Sequence, residues 1–144
     1  MTVLLDTSVL FPALRPAHPE HARCRAWLDR AKAGGVDAVA STHTLAELYA
    51  TLTRVKLPKP MPPADAVSAI RTDVLPHVTP VPLDPADYED TLNDLAVRGI
   101  RGAAVFDGLI CTAARKSGVD QLVTLNPRDF RRLWPGPPAA VVAP

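Results

Sequence analysis

The sequence predicts an α/β protein: a three-layer α/β/α sandwich around a central, mostly parallel sheet. Apolar runs of strand length alternate along the chain with stretches in which apolar residues recur at helical spacing. The first run, residues 3–5, is entirely apolar, which is typical of a strand that helices cover on both faces. With 144 residues, 47% of them hydrophobic and 22% charged, we expect a single globular domain over residues 1–144.

The first third of the chain predicts two strands, each followed by a helix. After the strand at 3–5, a helix should end at Gly34 and Gly35, because apolar residues precede them at helical spacing: Cys24, Trp27, Leu28 and Ala31. Residues 36–40 are the second predicted strand. Ser41 and Thr42 are candidate caps of the next helix, whose apolar stripe consists of Leu45, Leu48, Tyr49 and Leu52.

Prolines shape the middle of the chain. Residues 57–63 contain four prolines, which remove backbone donors and fix φ, so this segment should be a stiff connection. Residues 78–83 are interrupted by two more prolines and can form an edge strand at most. Asp84 and Pro85 are typical of a helix start. Two helices are expected around these segments, with apolar positions at Val67, Ile70 and Val74 and at Tyr88, Leu92 and Leu95.

The last third contains a second apolar run that ends in an aspartate, residues 104–107. Asp107 is therefore expected to form a pair of strand-end acids with Asp6, unless it lies in the first turns of a helix. A helix should follow and end at Gly118, with one face formed by Leu109, Ile110, Ala113 and Ala114. Residues 121–125 and 139–143 are the remaining candidate strands.

Composition argues against several classes of protein. The net charge of +1 is too small for a protein that coats nucleic acid through overall charge, so any such contact should be local. Cys24 and Cys111 are too few for a disulfide scaffold or a zinc site, and buried free thiols are expected. No basic segment precedes the apolar N-terminus, and no run approaches the ~18 apolar residues of a membrane span. We expect a cytoplasmic protein without membrane contact.

Three acids stand out as candidate functional residues. Asp6 and Asp107 each end an apolar run, and Glu47 lies on an amphipathic stretch but outside its apolar stripe. If these carboxylates converge, they repel one another unless a cation lies between them. Oxygen ligands of this kind suit hard divalent cations such as Mg²⁺ or Mn²⁺, which act on phosphate groups. This pattern points to phosphodiester chemistry.

Each candidate also has a purely structural interpretation. Either aspartate alone could cap a helix, and Glu47 alone is more often a solvated helix residue. The four histidines show no zinc-binding spacing and are expected to be solvated or structural: His18, His21, His43 and His77. The large aromatic residues are expected to pack in the core or in a dimer interface rather than against bases: Trp27, Tyr49 and Trp134.

Four segments resemble, in order, the motifs of the PIN-domain nucleases, in particular the VapC-type toxins of bacterial toxin–antitoxin modules. They are Leu-Leu-Asp-Thr-Ser at 4–8, Thr-Leu-Ala-Glu-Leu at 44–48, Phe-Asp-Gly-Leu-Ile at 106–110 and Val-Thr-Leu-Asn-Pro-Arg-Asp-Phe at 123–130. The resemblance implies an endoribonuclease that depends on Mg²⁺ or Mn²⁺ and is usually a homodimer. It also implies that a small antitoxin protein inhibits the enzyme.

Asp6, Glu47 and Asp107 match the family's invariant acids, and Asp6 and Asp107 are the best candidates for direct metal ligands. Glu47 should bind directly or through a water. We expect these acids to hold one or two cations that activate a water for attack on the RNA phosphorus. Hydroxyl groups could bond the carboxylates or metal-bound waters, and hydroxyls at strand and helix ends also often satisfy backbone groups: Thr7, Ser8 and Thr124.

The fourth position of the pattern holds Asn126, with Asp129 three residues later. We expect Asn126 near the water shell of the metal and Asp129 as an orienting or capping residue, although the sequence leaves the two roles interchangeable. Substrate phosphates require donors, and eight basic residues are available: Arg15, Lys56, Lys59, Arg98, Arg101, Arg128, Arg131 and Arg132. Among them, Arg128 and Arg131 are the candidate RNA-binding residues. An exposed, solvated position explains these arginines equally well.

Two rival functions were compared with this prediction. Phosphoaspartyl phosphatases need a second aspartate two residues after the first, where this chain has Ser8, and the early acidic pair of receiver domains is also missing. A catalytically silent PIN-fold module that only binds a partner protein is the remaining alternative. The presence of all three acids argues against it.

Overall fold

The computed structural model describes residues 1–137 and 140–144. Its centre is one sheet of five parallel strands in the order β3-β2-β1-β4-β5. The strands are β1 (Thr2–Leu5), β2 (Asp37–Ser41), β3 (Val78–Val81), β4 (Gln121–Val123) and β5 (Val141–Val142). Because strand order reverses between β1 and β4, the crevice beyond their carboxyl ends is a topological switch point, where open α/β sheets usually bind ligands.

Within residues 1–137 and 140–144, seven α-helices cover the two faces of the sheet. They are α1 (Thr7–Ala13), α2 (His21–Lys32), α3 (Thr42–Arg54), α4 (Pro63–Ala69), α5 (Pro85–Val97), α6 (Ala104–Lys116) and α7 (Pro127–Leu133), and a π-helical turn, Ile70–Val74, extends α4. Side chains of α1 to α4 pack in one core with Val3 and Leu5, whereas α5 to α7 pack in a second core with Leu4. This alternation along β1 confirms the predicted three-layer α/β/α sandwich.

Most of the predicted local signals are confirmed. Ser41 caps α3 by accepting a hydrogen bond from the His43 amide. Asp84 caps α5 in a reciprocal capping box with Asp87, and β3 lies at an edge of the sheet as its prolines require. Both cysteines are buried and free. No helix in the described part of the chain is long and apolar enough to cross a membrane.

The connection at 57–63 is held in place by a buried charge. Arg15 is 7% exposed, and its guanidinium donates hydrogen bonds to the backbone carbonyls of Leu57 and Lys59. These bonds satisfy carbonyl groups that the prolines leave without helical partners. The segment ends at Pro63, which opens α4 as the first helical residue rather than completing the connection.

The predicted strand ending in Asp107 is wrong. Residues 104–107 form the first turn of α6, because Val105 and Leu109, four residues apart, both face the core there while Phe106 is exposed. Asp107 thus lies in the first turn of a helix, and of the two aspartates expected at strand ends, Asp6 alone follows a strand.

Other corrections concern which side chains are buried and where strands end. Four residues assigned to apolar stripes are exposed: Tyr49, Val67, Tyr88 and Leu92. Smaller side chains of the same helices are buried instead, among them Thr44, Ala66 and Thr91. Strand β4 ends at Val123 rather than 125, and the hydroxyl of Thr124, the next residue, donates to the Asp6 carboxylate. The predicted strand at 139–143 is observed as β5, although Ala139 lies outside the described residues.

Candidate active site

Asp6 lies directly beyond the carboxyl end of β1, at the switch point of the sheet. Its amide donates to the carbonyl of Val123 at 3.1 Å, which ties the ends of β1 and β4 together. Asp6 precedes α1 in the N-cap position, yet its side chain makes no capping hydrogen bond. The residue is only 4% exposed. Its carboxylate is therefore held for something other than capping the helix.

Two hydroxyl groups orient the Asp6 carboxylate. Ser8 Oγ and Thr124 Oγ1 both donate to Asp6 Oδ2, at 2.6 and 2.8 Å. Each hydroxyl in turn accepts a hydrogen bond from a backbone amide, that of Leu125 for Ser8 and that of Asn126 for Thr124. Because the amides occupy acceptor positions on these hydroxyls, the hydroxyl protons point to Asp6. Neither hydroxyl bonds Oδ1, and the backbone N–H groups of Thr7 and Ser8 also help to lower the pKa of this carboxyl group.

Glu47 lies on the second turn of α3, and two side chains hold its carboxylate. Thr7 Oγ1 donates to Oε2 at 3.3 Å, and His43 Nε2 lies 2.8 Å from Oε1. A protonated His43 ring would attract the Glu47 carboxylate at this distance. However, neither His43 Nε2 nor Glu47 Oε1 has a hydrogen-bond partner among the described residues, so the N–H of the ring does not point at Oε1. The His43 contact therefore positions the carboxylate without fully satisfying it.

The acids share one electrostatic environment. The pKa of Asp107 is raised to about 6 by burial first, and then by the charges of Asp6, Glu47 and Asp129 in that order. Burial also raises the pKa of Glu47, which the charge of His43 opposes and that of Asp6 reinforces. For Asp6, burial raises the pKa while the two hydroxyls lower it. Acids that raise one another's pKa lie close together without enough positive charge between them.

The open part of the site is a cleft of about 420 Å³ between α3, α6 and α7, called the acid cleft here. Its lining residues are Glu47, Ala103, Ala104, Phe106, Asp107, Asp129, Arg132 and Leu133. A second cleft of about 460 Å³, called the α3 cleft, lies beside it and is lined by His43, Ala46, Glu47, Ala50, Thr51, Arg54 and Phe106. Glu47 and Phe106 belong to both, so the two clefts adjoin.

In residues 1–137 and 140–144, no three carboxylate, imidazole or thiolate groups are close enough to hold a metal ion by themselves. Three direct carboxylate ligands are thus not preformed in the described residues, and the Glu47 carboxylate, expected to bind directly or through a water, contacts Thr7 and His43. Mg²⁺ usually binds to one or two carboxylates and keeps several waters. The uncompensated negative charge that Asp6, Glu47 and Asp129 place around Asp107 fits such a hydrated ion.

Comparison with known proteins identifies the family of this chain. The family model described as the PIN domain matches residues 3–133, which include all the acids named above. The chain belongs to the PIN-domain family. This membership confirms the resemblance predicted from the four motifs.

Individual relatives agree with the family assignment. Over 110 residues, the PIN domain is 33% identical to Ribonuclease VapC27 of Mycobacterium tuberculosis, covering 76% of this chain and 74% of that protein. Two solved structures share the fold. VapC20 of Mycobacterium tuberculosis, a toxin that cleaves the sarcin–ricin loop, has a TM-score of 0.63 and 21% identity, covering 83% of this chain and 86% of its own. VapBC2 from Rickettsia felis, bound to a DNA fragment from its promoter, has a TM-score of 0.68 and 19% identity, covering 99% and 98%.

In the structure Asp129, rather than Asn126, lines the acid cleft. Asn126 is exposed in the N-cap position of α7 and is not among the residues that line the acid cleft. Asp129, in the first turn of α7, lines that cleft and raises the pKa of Asp107. It does not cap the helix either, since α7 has no side-chain cap. The three-residue spacing rotates Asp129 toward α6, and sequence alone does not fix that rotation.

The predicted RNA-binding arginines are not the ones nearest the acids. Arg131 donates to the carbonyl of Val141 at 3.1 Å and so joins α7 to β5. Arg128 is exposed and is not part of the lining of either cleft. Arg132, one residue beyond Arg131, lines the acid cleft instead.

Two further residues of the site were not predicted as functional. His43 precedes Glu47 by four residues on α3, a spacing that puts both side chains on one face of the helix. This spacing is visible in the sequence and could have identified His43. Phe106 is adjacent to Asp107 and 46% exposed. Its exposure depends on the helical start of α6, which the predicted strand obscured.

Proposed function

We propose that this PIN domain is an endoribonuclease that uses Mg²⁺ or Mn²⁺ and acts as the toxin of a type II toxin–antitoxin system. The observation that carries the proposal is the convergence of four acids from separate elements at the switch point of a parallel sheet: Asp6, Glu47, Asp107 and Asp129. The family match and the 33% identity to a named ribonuclease support RNA as the substrate.

Asp6 and Asp107 would hold the cation, and Glu47 and Asp129 would reach its water shell. When bound, a divalent cation supplies a water of lowered pKa and neutralises charge that develops on the phosphate oxygens. Ser8 and Thr124 keep the Asp6 carboxylate in one orientation, and Thr7 does the same for Glu47. Arg132 lies where it can contact a substrate phosphate. No side chain is needed as a nucleophile.

A protein partner is proposed on the same basis. The solved structures that share this fold include VapBC2 from Rickettsia felis and FitAB, each of them bound to a DNA fragment. We propose that a small antitoxin protein inhibits this chain and that the active form is a homodimer.

RNA cleavage by the purified chain tests the proposal. With Mg²⁺ or Mn²⁺ the wild-type protein should cleave RNA, and a chelator should abolish cleavage. Asp6→Asn and Asp107→Asn should each lose activity by two or more orders of magnitude, as loss of a metal ligand or its support predicts. Glu89→Gln, at an exposed acid on α5, is the matched control and should cleave normally. Metal-independent cleavage, or full activity in Asp6→Asn, would reject the mechanism, and no cleavage by any form would favour a silent binding module.

A further inference from the structure

Phe106 is an exposed aromatic side chain beside the acids. It precedes Asp107 in the first turn of α6, is 46% exposed and lines both the acid cleft and the α3 cleft. A ring that is nearly half exposed contributes little to the core, whereas its neighbour Val105 packs against the second core and Leu109 is buried. Its surface is available to a ligand that occupies the clefts.

His43 fixes the orientation of the Phe106 ring. The two rings are stacked, with centroids 5.1 Å apart and planes inclined by 6°. The His43 ring is itself positioned by Glu47, whose Oε1 lies 2.8 Å from His43 Nε2. Parallel, offset rings of this kind are a favoured aromatic geometry. The stack therefore extends from the acids into the clefts as a pre-oriented planar surface.

Charge around this surface favours a polyanion with planar groups. Arg54, at the end of α3, lines the α3 cleft, and Arg132, on α7, lines the acid cleft. Both arginines are exposed, so each can contact a phosphate. The volumes of the two clefts, about 460 and 420 Å³, lie within the roughly 300–1,000 Å³ of ligand pockets. An aromatic surface between two cations suits consecutive nucleotides of a single strand.

We propose that Phe106, held by His43, is a stacking platform for an unpaired nucleobase next to the phosphate that is cleaved. This inference rests on the proposed function and adds the kind of RNA that the site accepts. A base inside a double helix is already stacked on both faces, so the platform selects single strands and loops. Because every base has a π-face, it selects an unpaired base rather than one sequence.

Binding of a fluorescent RNA to an inactive protein tests the platform separately from cleavage. The probe is a short single-stranded RNA with 2-aminopurine at one position, whose fluorescence falls when the base stacks, and the protein is Asp6→Asn with Mn²⁺ present. We expect quenching on binding. Adding Phe106→Ala should remove the quenching and weaken binding roughly 5- to 150-fold, which is the range for loss of one stacked base. Phe106→Trp should keep both signals, and Phe106→Leu, which keeps apolar bulk, should lose the quenching.

Tyr88→Ala is the matched control. Tyr88 is 41% exposed, and the contact between Asp87 and Lys116 places it at the end of α6 opposite to Asp107. This variant should bind and quench like the parent. Unchanged binding and quenching in Phe106→Ala would overturn the platform, and so would an equal loss for duplex RNA of the same sequence. A Phe106→Ala variant that altered only self-association or binding of a partner protein would overturn it in favour of a protein-docking surface. Cleavage of RNA by the wild-type chain is measured separately. Metal-dependent cleavage together with unchanged binding by Phe106→Ala would support the proposed function and reject the platform.

Discussion

At the residue scale, the Asp6 carboxylate depends on two hydroxyl groups that backbone amides hold in place. Burial raises the pKa of Asp6, and the bonds from Ser8 and Thr124 oppose that effect. Thr124→Val removes one donor with little change in shape. We expect divalent-metal affinity and RNA cleavage to fall about 10- to 100-fold, as is typical when a residue supporting a metal ligand is removed. Metal titrations of cleavage measure this directly.

Thr91→Val is the control for Thr124→Val. Thr91 is also buried, and its hydroxyl pairs with that of Thr112 at 2.6 Å rather than with a carboxylate. Both substitutions should lower stability by about 1 kcal/mol through a lost buried hydrogen bond. Only Thr124→Val should change metal affinity. Equal effects of the two variants on metal affinity would mean that Thr124 acts through the fold alone.

Asp129 and Asn126 give a second prediction at this scale. Because Asp129 lines the acid cleft and acts on the pKa of Asp107, Asp129→Asn should reduce cleavage at least tenfold and lower the pKa of Asp107. Asn126→Ala should change cleavage less than threefold. Steady-state cleavage and a pH titration of both variants make the comparison. The reverse ranking would restore Asn126 as the fourth residue of the site.

Residue identities were easier to predict than side-chain directions. The acids and hydroxyls could be found because each follows a strand or shares a short motif, which limits where its backbone can lie. The choice of Arg132 over Arg131, or of Asp129 over Asn126, depends on how far α7 is rotated about its axis. That rotation is set by Phe130 and Leu133, which bury in the second core. Both residues can be identified in the sequence, but the surface against which they pack is formed by distant parts of the chain and cannot be predicted from it.

At the scale of elements, the first turn of α6 positions Asp107 in a repulsive environment. Its folded-state pKa of about 6 lies above the ordinary value of 3.8, so the folded protein binds this proton more tightly than the unfolded chain. The stability that this proton provides is complete below about pH 3.8 and is lost as pH rises through about 6. Metal-free wild-type protein should therefore melt at progressively lower temperature over this window.

Asp107→Asn should remove that part of the pH dependence. At pH 7 the metal-free variant should be more stable than the wild type, on the order of 1 kcal/mol or roughly 3–5 °C in Tm for a chain of this size. Differential scanning calorimetry of both proteins between about pH 4 and pH 7 measures the difference. Parallel curves for the two proteins would show that Asp107 is not repelled.

Strands and caps were predictable at this scale, whereas the run at 104–107 was not. Residues 3–5 are all apolar, although successive residues of a strand face opposite sides of the sheet. Such a run is buried throughout only when helices cover both faces of the strand. Residues 104–106 are also all apolar, but Val105 packs against the second core and Leu109, four residues later, is buried, which is the spacing of a helix. Short apolar runs are compatible with either period, and tertiary contacts decide between them.

At the scale of the whole molecule, a net charge of +1 means that RNA must be held by few contacts. Two arginines, Arg54 and Arg132, line the clefts beside the acids. Two phosphate contacts to a single strand predict a slope of about −1.4 for log K against log salt concentration. Arg132→Ala should reduce that slope by about 0.7, and Arg131→Ala, whose side chain bonds Val141, should not. Salt titrations of oligonucleotide binding test this, and a slope steeper than about −4 would require a broader basic surface.

The order of strands in the sheet was the global feature that the sequence did not specify. Alternating strands and helices predicted a parallel sheet, but several strand orders satisfy that alternation. The observed order places β4 beside β1, and this adjacency brings Thr124 to Asp6 and α7 to α6. The site therefore depends on the pairing of two strands that are more than 100 residues apart in the chain. Local sequence patterns do not indicate which distant strands pair.

Calorimetric titration of Mn²⁺ into the metal-free protein at pH 7 tests most directly whether the converging acids form one cation site. The wild type should bind the ion, and the same addition should raise its melting temperature, because a ligand that binds only the folded site stabilises it. Asp6→Asn and Asp107→Asn should each lose most of that binding while remaining folded. Binding of equal strength in all three proteins would contradict the account, since the cation would then lie elsewhere.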